Sequence, residues 1–207
     1  MVLKKNNRSC RNEGKGDIKM KNEENYVEDL KKDELYVKKI NEIKKKMKKY
    51  EKKEFDFMQL SEIEAGLKRE LNVEIYADRK FNWEQMREIR GGLSRKIDVS
   101  IFADTKFNWR QMREISYGFW GNADVKLYAD TKFCWEQMRE IRYGFWDKAD
   151  TKVYANPKFC WEQMQVLRKG LLADLDVSIY AKPELSHNQM SIIYDKLIEV
   201  KKILKTI

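Results

Sequence analysis

A nucleophile or acid–base mechanism needs a thiol, hydroxyl or carboxylate within reach of a partner that can move its proton, and few residues here meet that requirement. The one histidine of the chain, His187, stands where Trp83, Trp109, Trp135 and Trp161 stand in matching stretches, so it reads as a substituted packing residue. The three cysteines have no Cys/His metal spacing, and no glycine-rich phosphate loop is present. Cys134 and Cys160 hold the same position in two successive stretches. A helix start there would lower a thiol's pKa, whereas the plainer role is that of a replaced cap residue. Adjacent helices ~8–10 Å apart leave the two too distant for a disulfide without backbone movement. Glu84, Glu88, Glu136 and Glu140 lie beside Arg87 and Arg139 at spacings that in-helix ion pairing explains. The expectation is a protein with no catalytic residue, no metal, no cofactor and no small-molecule substrate.

Aromatic and arginine side chains remain. Tyr117 and Tyr143 stand where flanking stretches carry Ala65, Gly91 and Lys169, and Trp120 and Trp146 stand where they carry Lys68, Ser94 and Leu172. A three-residue step puts each Tyr–Trp pair on one side of a helix. At 100° per residue Trp120 projects near Trp109 and Arg113, and Trp146 near Trp135, Arg139 and Arg142. Tyr, Trp and Arg are enriched at binding hot spots, and arginine over an indole adds a cation–π term of ~0.5–2 kcal/mol. These nine residues form the expected partner-binding strip. The competing role is to fill a groove between helices or to bury the N-terminal helix, since large aromatics often fill cores.

The elements that position them come from a repeat. FNWEQMREIRGGLSRKIDVSIFADTK, from Phe81, begins again at Phe107, Phe133 and Phe159; one step back finds Phe55 and one step forward Leu185, a period of 26 residues. A fixed period of this size indicates a solenoid. Each unit opens on a capping box: Asp56 with Gln59, Asn82 with Gln85, Asn108 with Gln111, Cys134 with Gln137, Cys160 with Gln163, Ser186 with Gln189. Phe81 and Met86 have the spacing of a hydrophobic staple, and Met86, Ile89 and Leu93 form one apolar stripe. Gly66, Gly92, Gly118, Gly144 and Gly170 recur inside the helix despite their helical cost, which predicts close approach of the neighbouring unit. Asp98 caps the second half, where Val99 and Phe102 predict a short helical or 3₁₀ turn; the β-branched run there leaves a strand as the alternative.

Four segments follow: a flexible basic tail over 1–22, a lysine-rich capping helix over 23–54, five full repeats over 55–184 and a C-terminal capping helix over 185–207. The predicted fold is all-α, a right-handed-type α-solenoid of six units, each a helix plus a short helical or 3₁₀ turn, with a capping helix at either end. Leu30, Val37, Ile40, Ile43, Met47 and Tyr50 give the first helix an apolar side. Met190, Ile193, Leu197, Val200 and Leu204 do the same for the last.

Units of the form FxWxQMxxIRxGLxxxxDVSxYADPx resemble tandem repeats of uncharacterised proteins from gut bacteria, conjugative elements and phages, over Phe55 to about Tyr194. The alternation of helix and short turn is also similar, at the level of fold, to leucine-rich-repeat variant solenoids. The resemblance implies no activity. It implies an association with phages and mobile elements, and hence an inhibitor of a bacterial defence system, such as an anti-CRISPR protein, as the most concrete role.

Charge is unevenly placed. Residues 1–54 hold 18 of the 43 Lys and Arg and 11 of the 34 Asp and Glu, so they supply +7 of the net +9. Lys44, Lys45, Lys46, Lys48 and Lys49 could meet phosphate or an acidic partner; a solvated helix face is the plainer account of them. A protein or ribonucleoprotein partner is expected first, and single-stranded RNA read by a helical repeat second. The absence of a long apolar run and of a signal-peptide pattern predicts no membrane association and a cytoplasmic, bacterial-host location.

Overall fold

The computed structural model describes residues 15–121 and 123–206, and of the first helix the side chains of residue 28 and of 31 onward. Its described residues form seven α-helices and a series of 3₁₀ turns, with no strand among them. The chain divides into two compact units, one ending at Lys52 and the other starting at Lys53.

The first unit is carried by α1, Lys15–Glu51. Of the expected tail, residues 1–14 lie outside the described residues, and 15–22 already belong to α1. No proline interrupts this Lys-, Glu- and Asn-rich stretch, and Lys, Glu, Met and Leu are good helix formers. The expected apolar side is unevenly sheltered: Ile43 and Tyr50 are buried, Ile40 and Met47 half-buried, Val37 exposed. The side chain of Leu30 lies outside the described residues. Lys44, Lys45, Lys46, Lys48 and Lys49 are all exposed.

The second unit is the repeat array, an α-solenoid in which successive helices pack against one another. Its helices are α2 (Phe57–Lys68), α3 (Trp83–Ser94), α4 (Trp109–Gly118), α5 (Trp135–Trp146), α6 (Trp161–Leu172) and α7 (His187–Leu204). The helix starts follow the capping boxes. Asp56, Asn82, Asn108 and Ser186 accept from the backbone N–H three residues on, while the Gln there accepts from the cap residue's own N–H. The second halves are 3₁₀ turns, at Val73–Ile75, Val99–Ile101, Val125–Leu127, Thr151–Val153 and Val177–Ile179. Asp98, as expected, caps its turn by accepting from Ser100 N–H.

Two devices lock each unit. The Gln that closes the capping box also donates its side-chain amide to a backbone carbonyl of the next unit: Gln59 to Phe81, Gln85 to Phe107 and Gln111 to Phe133 at 2.7–2.8 Å, with Gln137 to Phe159 and Gln163 to Leu185 continuing the series. The recurrent glycine has a different use from the one its sequence suggested. A Cβ on Gly118 would lie 2.0 Å from the hydroxyl of Tyr128 and 2.6 Å from Val125, and Gly66, Gly144 and Gly170 repeat the pattern with Tyr76, Tyr154 and Tyr180. The close approach is therefore from the same unit's own 3₁₀ turn, whose aromatic ring folds back over the helix and is fully buried. Tyr76, Tyr128 and Tyr154 donate to the carbonyls of Glu62, Glu114 and Glu140. Burial pushes the Tyr180 hydroxyl up to about 12.

In α7, Met190 is buried and Ile193 and Leu197 half-buried, but Val200 and Leu204 are exposed. The expected apolar stripe of the last helix is covered only along its first half, because α7 is six residues longer than the α6 it packs on.

Candidate functional site: the arginine and aromatic rows

One face of the helices carries the residues that sequence singled out, and the structure sorts them into two rows near opposite ends of the helices. Trp109 and Trp120 share a helix side, but eleven residues at ~1.5 Å each separate them by ~16 Å. The first row runs across the helix starts. The Arg113 guanidinium lies 4.7 Å from the Trp109 ring, Arg110 lies 5.2 Å from Trp109 and 5.3 Å from Trp135, and Arg139 lies 5.1 Å from Trp135 and 5.8 Å from Trp161. These tryptophans are half-buried. Each guanidinium that bridges two indoles ties neighbouring units together.

The second row runs across the helix ends, where three arginines alternate with two Tyr–Trp pairs. Arg95, which caps α3, donates to Ser116 Oγ and lies 5.0 Å from the Trp120 ring and 5.8 Å from Tyr117. Tyr117 and Trp120 stack, centroids 5.4 Å apart and 16° from parallel. Arg142 follows, 5.7 Å from Tyr117, 4.6 Å from Tyr143 and 4.3 Å from Trp146. Arg168 lies 5.5 Å from Tyr143 and binds Asp147 at 2.5 Å. Trp146 rests on the backbone of the preceding unit, where a Cβ on Gly121 would lie 2.0 Å from its Nε1.

Beneath this row the helices are joined by carboxylates, half-buried at Glu62 and buried at Glu114 and Glu140. Arg90 reaches Glu62 at 2.6 Å, Arg142 reaches Glu114 at 2.7 Å and Arg168 reaches Glu140 at 3.1 Å, each from the following unit. Glu88 and Glu140 thus pair chiefly across units, although Glu140 also has Arg139 of its own helix at 3.9 Å, where spacing had suggested pairing along the helix; Glu88 takes Arg113 at 3.1 Å because the ladder arginine is replaced by Ser116. That replacement leaves room for Arg95. Arg142 is 4 % exposed and its head is held by Glu114 and three rings, so it braces the row from below. Burial holds the Glu114 carboxyl above its usual range, with Arg142, Arg139 and Arg113 pulling it back.

What faces solvent is narrower than the nine expected residues: Trp120 at 62 % and Trp146 at 44 % exposed, with Tyr117 and Tyr143 half-buried behind them. Trp120 projects because α4 ends two residues before its neighbours and tightens into a 3₁₀ turn over Phe119–Gly121. Arg95, Arg110, Ser116, Gly121 and Arg168 were missed by the sequence reading. Four of them carried a usable signal, since Arg110 replaces Glu84 and Glu136, Ser116 replaces Arg90 and Arg142, and Arg95 and Gly121 share a variable slot that also holds Asp147 and Ala173.

Cys134 and Cys160 are free thiols at the helix starts. Burial pushes both thiols above their usual pKa, the reverse of the lowering that a helix N-terminus alone predicts. His187 begins α7 and is exposed. Among the described residues no group of His, Cys, Asp and Glu could hold a metal ion, and no helix is long and apolar enough to cross a membrane.

Fold and site together define an α-helical repeat scaffold with two projecting indoles on an arginine-braced ridge. No family model, curated protein or solved structure matches the chain.

Proposed function

We propose that the chain is a non-enzymatic repeat scaffold that binds a protein or ribonucleoprotein partner through Trp120 and Trp146. The observation that carries this reading is the contrast within the row. Arg142 and Arg168 are held by buried Glu114 and Glu140, Arg95 by Ser116, and Tyr117 and Tyr143 lie half-buried among these arginines, while the indoles of Trp120 and Trp146 are exposed. Rigid aromatic anchors lose little entropy on binding, and such residues dominate interface energies. In the concrete form that follows from the resemblance to phage and mobile-element repeats, the partner is a component of a bacterial defence complex, and the protein acts as an anti-CRISPR or similar inhibitor.

Single-stranded RNA is less well served, because a base needs an open ring face. The faces of Trp109, Trp135 and Trp161 have guanidinium groups within 6 Å, and the repeats carry little net positive charge.

Trp120→Ala with Trp146→Ala is the direct test. Affinity capture from host extract, with wild type and double variant side by side, is expected to lose its partner with the variant while the variant still melts in a cooperative transition that shows it folded. An unchanged partner profile would sink the proposal. A binding constant that falls steeply with salt, and capture abolished by nuclease, would move the assignment to nucleic acid.

A further inference from the structure

The last helix has a face that the array leaves open. In α2 to α5 the sixth helical position is Glu62, Glu88, Glu114 or Glu140, and its carboxylate binds an arginine of the next unit. In α7 that position is Ile192, which is 56 % exposed. Val200 and Ile203 are exposed on the same broad face, and Lys196 and Glu199 lie between Ile192 and Ile203. At 100° per residue Ile192, Lys196, Glu199 and Ile203 fall within about 60° of arc, with Val200 beside them.

A 3₁₀ turn like those of the earlier units cannot fold back over α7. Lys196 occupies the slot of Gly66, Gly92, Gly118, Gly144 and Gly170, where even a Cβ would strike the tyrosine or phenylalanine of the following turn. The face fits a helix that brings apolar residues to Ile192 and Ile203 and opposite charges to Lys196 and Glu199.

α7 itself meets that description. We propose that α7 packs antiparallel against α7 of a second copy, forming a two-fold dimer. In the register centred between Leu197 and Ile198, Ile192 lies opposite the second copy's Ile203, and Lys196 lies opposite the second copy's Glu199. The two-fold axis repeats both contacts. Val200 then sits beside Ile193 of the second copy. The face is self-complementary in both charge and apolar content, and no other register of the antiparallel pair satisfies both. One helix face per copy is small against the roughly 1,200 Å² of a stable interface, so the dimer is weak and forms with rising concentration.

Sedimentation equilibrium of the full chain from micromolar to near-millimolar concentration tests this, with Lys196→Glu and Glu199→Lys as variants. Both positions are exposed, so the fold should survive, and the melting curve checks that. Wild type is expected to self-associate to a dimer and no further. Each single variant places like charges opposite one another twice, which should weaken association roughly tenfold or more. An equimolar mixture of the two single variants sets both carboxylates of one copy against both ammonium groups of the other, so the mixture should dimerise again. A wild type that stays monomeric across the range, single variants that associate as tightly as wild type, or a mixture no tighter than its components would each overturn the proposal.

Discussion

Glu114 and Arg142 form the most enclosed ion pair of the array, at 2.7 Å with both side chains under a tenth exposed. Breaking such a pair by removing one partner typically costs ~3–5 kcal/mol, because a charge is left buried alone. Arg142→Met should therefore destabilise the fold by about that much at neutral pH. The pH dependence has a definite sign. Burial already raises the Glu114 carboxyl, against the pull of Arg142, and without Arg142 it rises further. A group whose folded pKa is raised contributes stability that is present below its unfolded value and is lost as pH rises through the folded value. The deficit of the variant should thus shrink in mild acid, between the ordinary carboxylate range and neutrality. Urea midpoints at neutral and mildly acidic pH measure it, and a deficit equal at both would show that Glu114 is not its source. This pair was hidden from the sequence because its two members are 28 residues apart. A glutamate and an arginine near each other on one helix satisfy local pairing rules just as well.

At the scale of the element, the helix starts were legible because a capping box is written within four residues. Asn108 accepts from Gln111 N–H at 3.0 Å, while at Cys134 only the returning contact to Gln137, at 2.7 Å, is strong, sulfur being a poor acceptor. Cys134→Asn should restore the missing half and stabilise the protein by about 0.5–1 kcal/mol, read as a rise in melting temperature; no rise would mean that the cap is already satisfied. The role of the recurrent glycine was not legible, since the ring it accommodates comes from a turn ten residues further on. Gly118→Ala would force Tyr128 from a fully buried site and break its bond to the Glu114 carbonyl. Overpacking of that kind costs ~1–3 kcal/mol or more, so chemical denaturation should show a loss of that size. Gly91→Ala, where the nearest atoms are 3.9 Å away, should show none.

For the array as a whole, the period announced a solenoid, and the six helix starts and five turns fell where it placed them. The split of the aromatic strip into two rows did not follow from angular projection, which records the side of a helix and discards distance along it. Coupling between units depends heavily on the bridging glutamines, since Gln111 joins the cap of α4 to the Phe133 carbonyl at 2.8 Å in a buried site. Gln189 occupies the same slot in α7 and closes its own cap without such a bridge. Gln111→Leu and Gln189→Leu therefore remove the same local contact but differ in the bridge. The first should cost about 2 kcal/mol, the desolvation penalty of a buried carbonyl added to the lost cap, and the second under about 1 kcal/mol. In a stack stabilised by nearest-neighbour contacts, a central loss on this scale lowers one shared transition if the array melts as a unit. Calorimetry of Gln111→Leu should show a single transition moved to lower temperature. Two resolved transitions would mean that units on either side of α4 fold independently, and equal losses in the two variants would mean that the bridge contributes nothing beyond the cap.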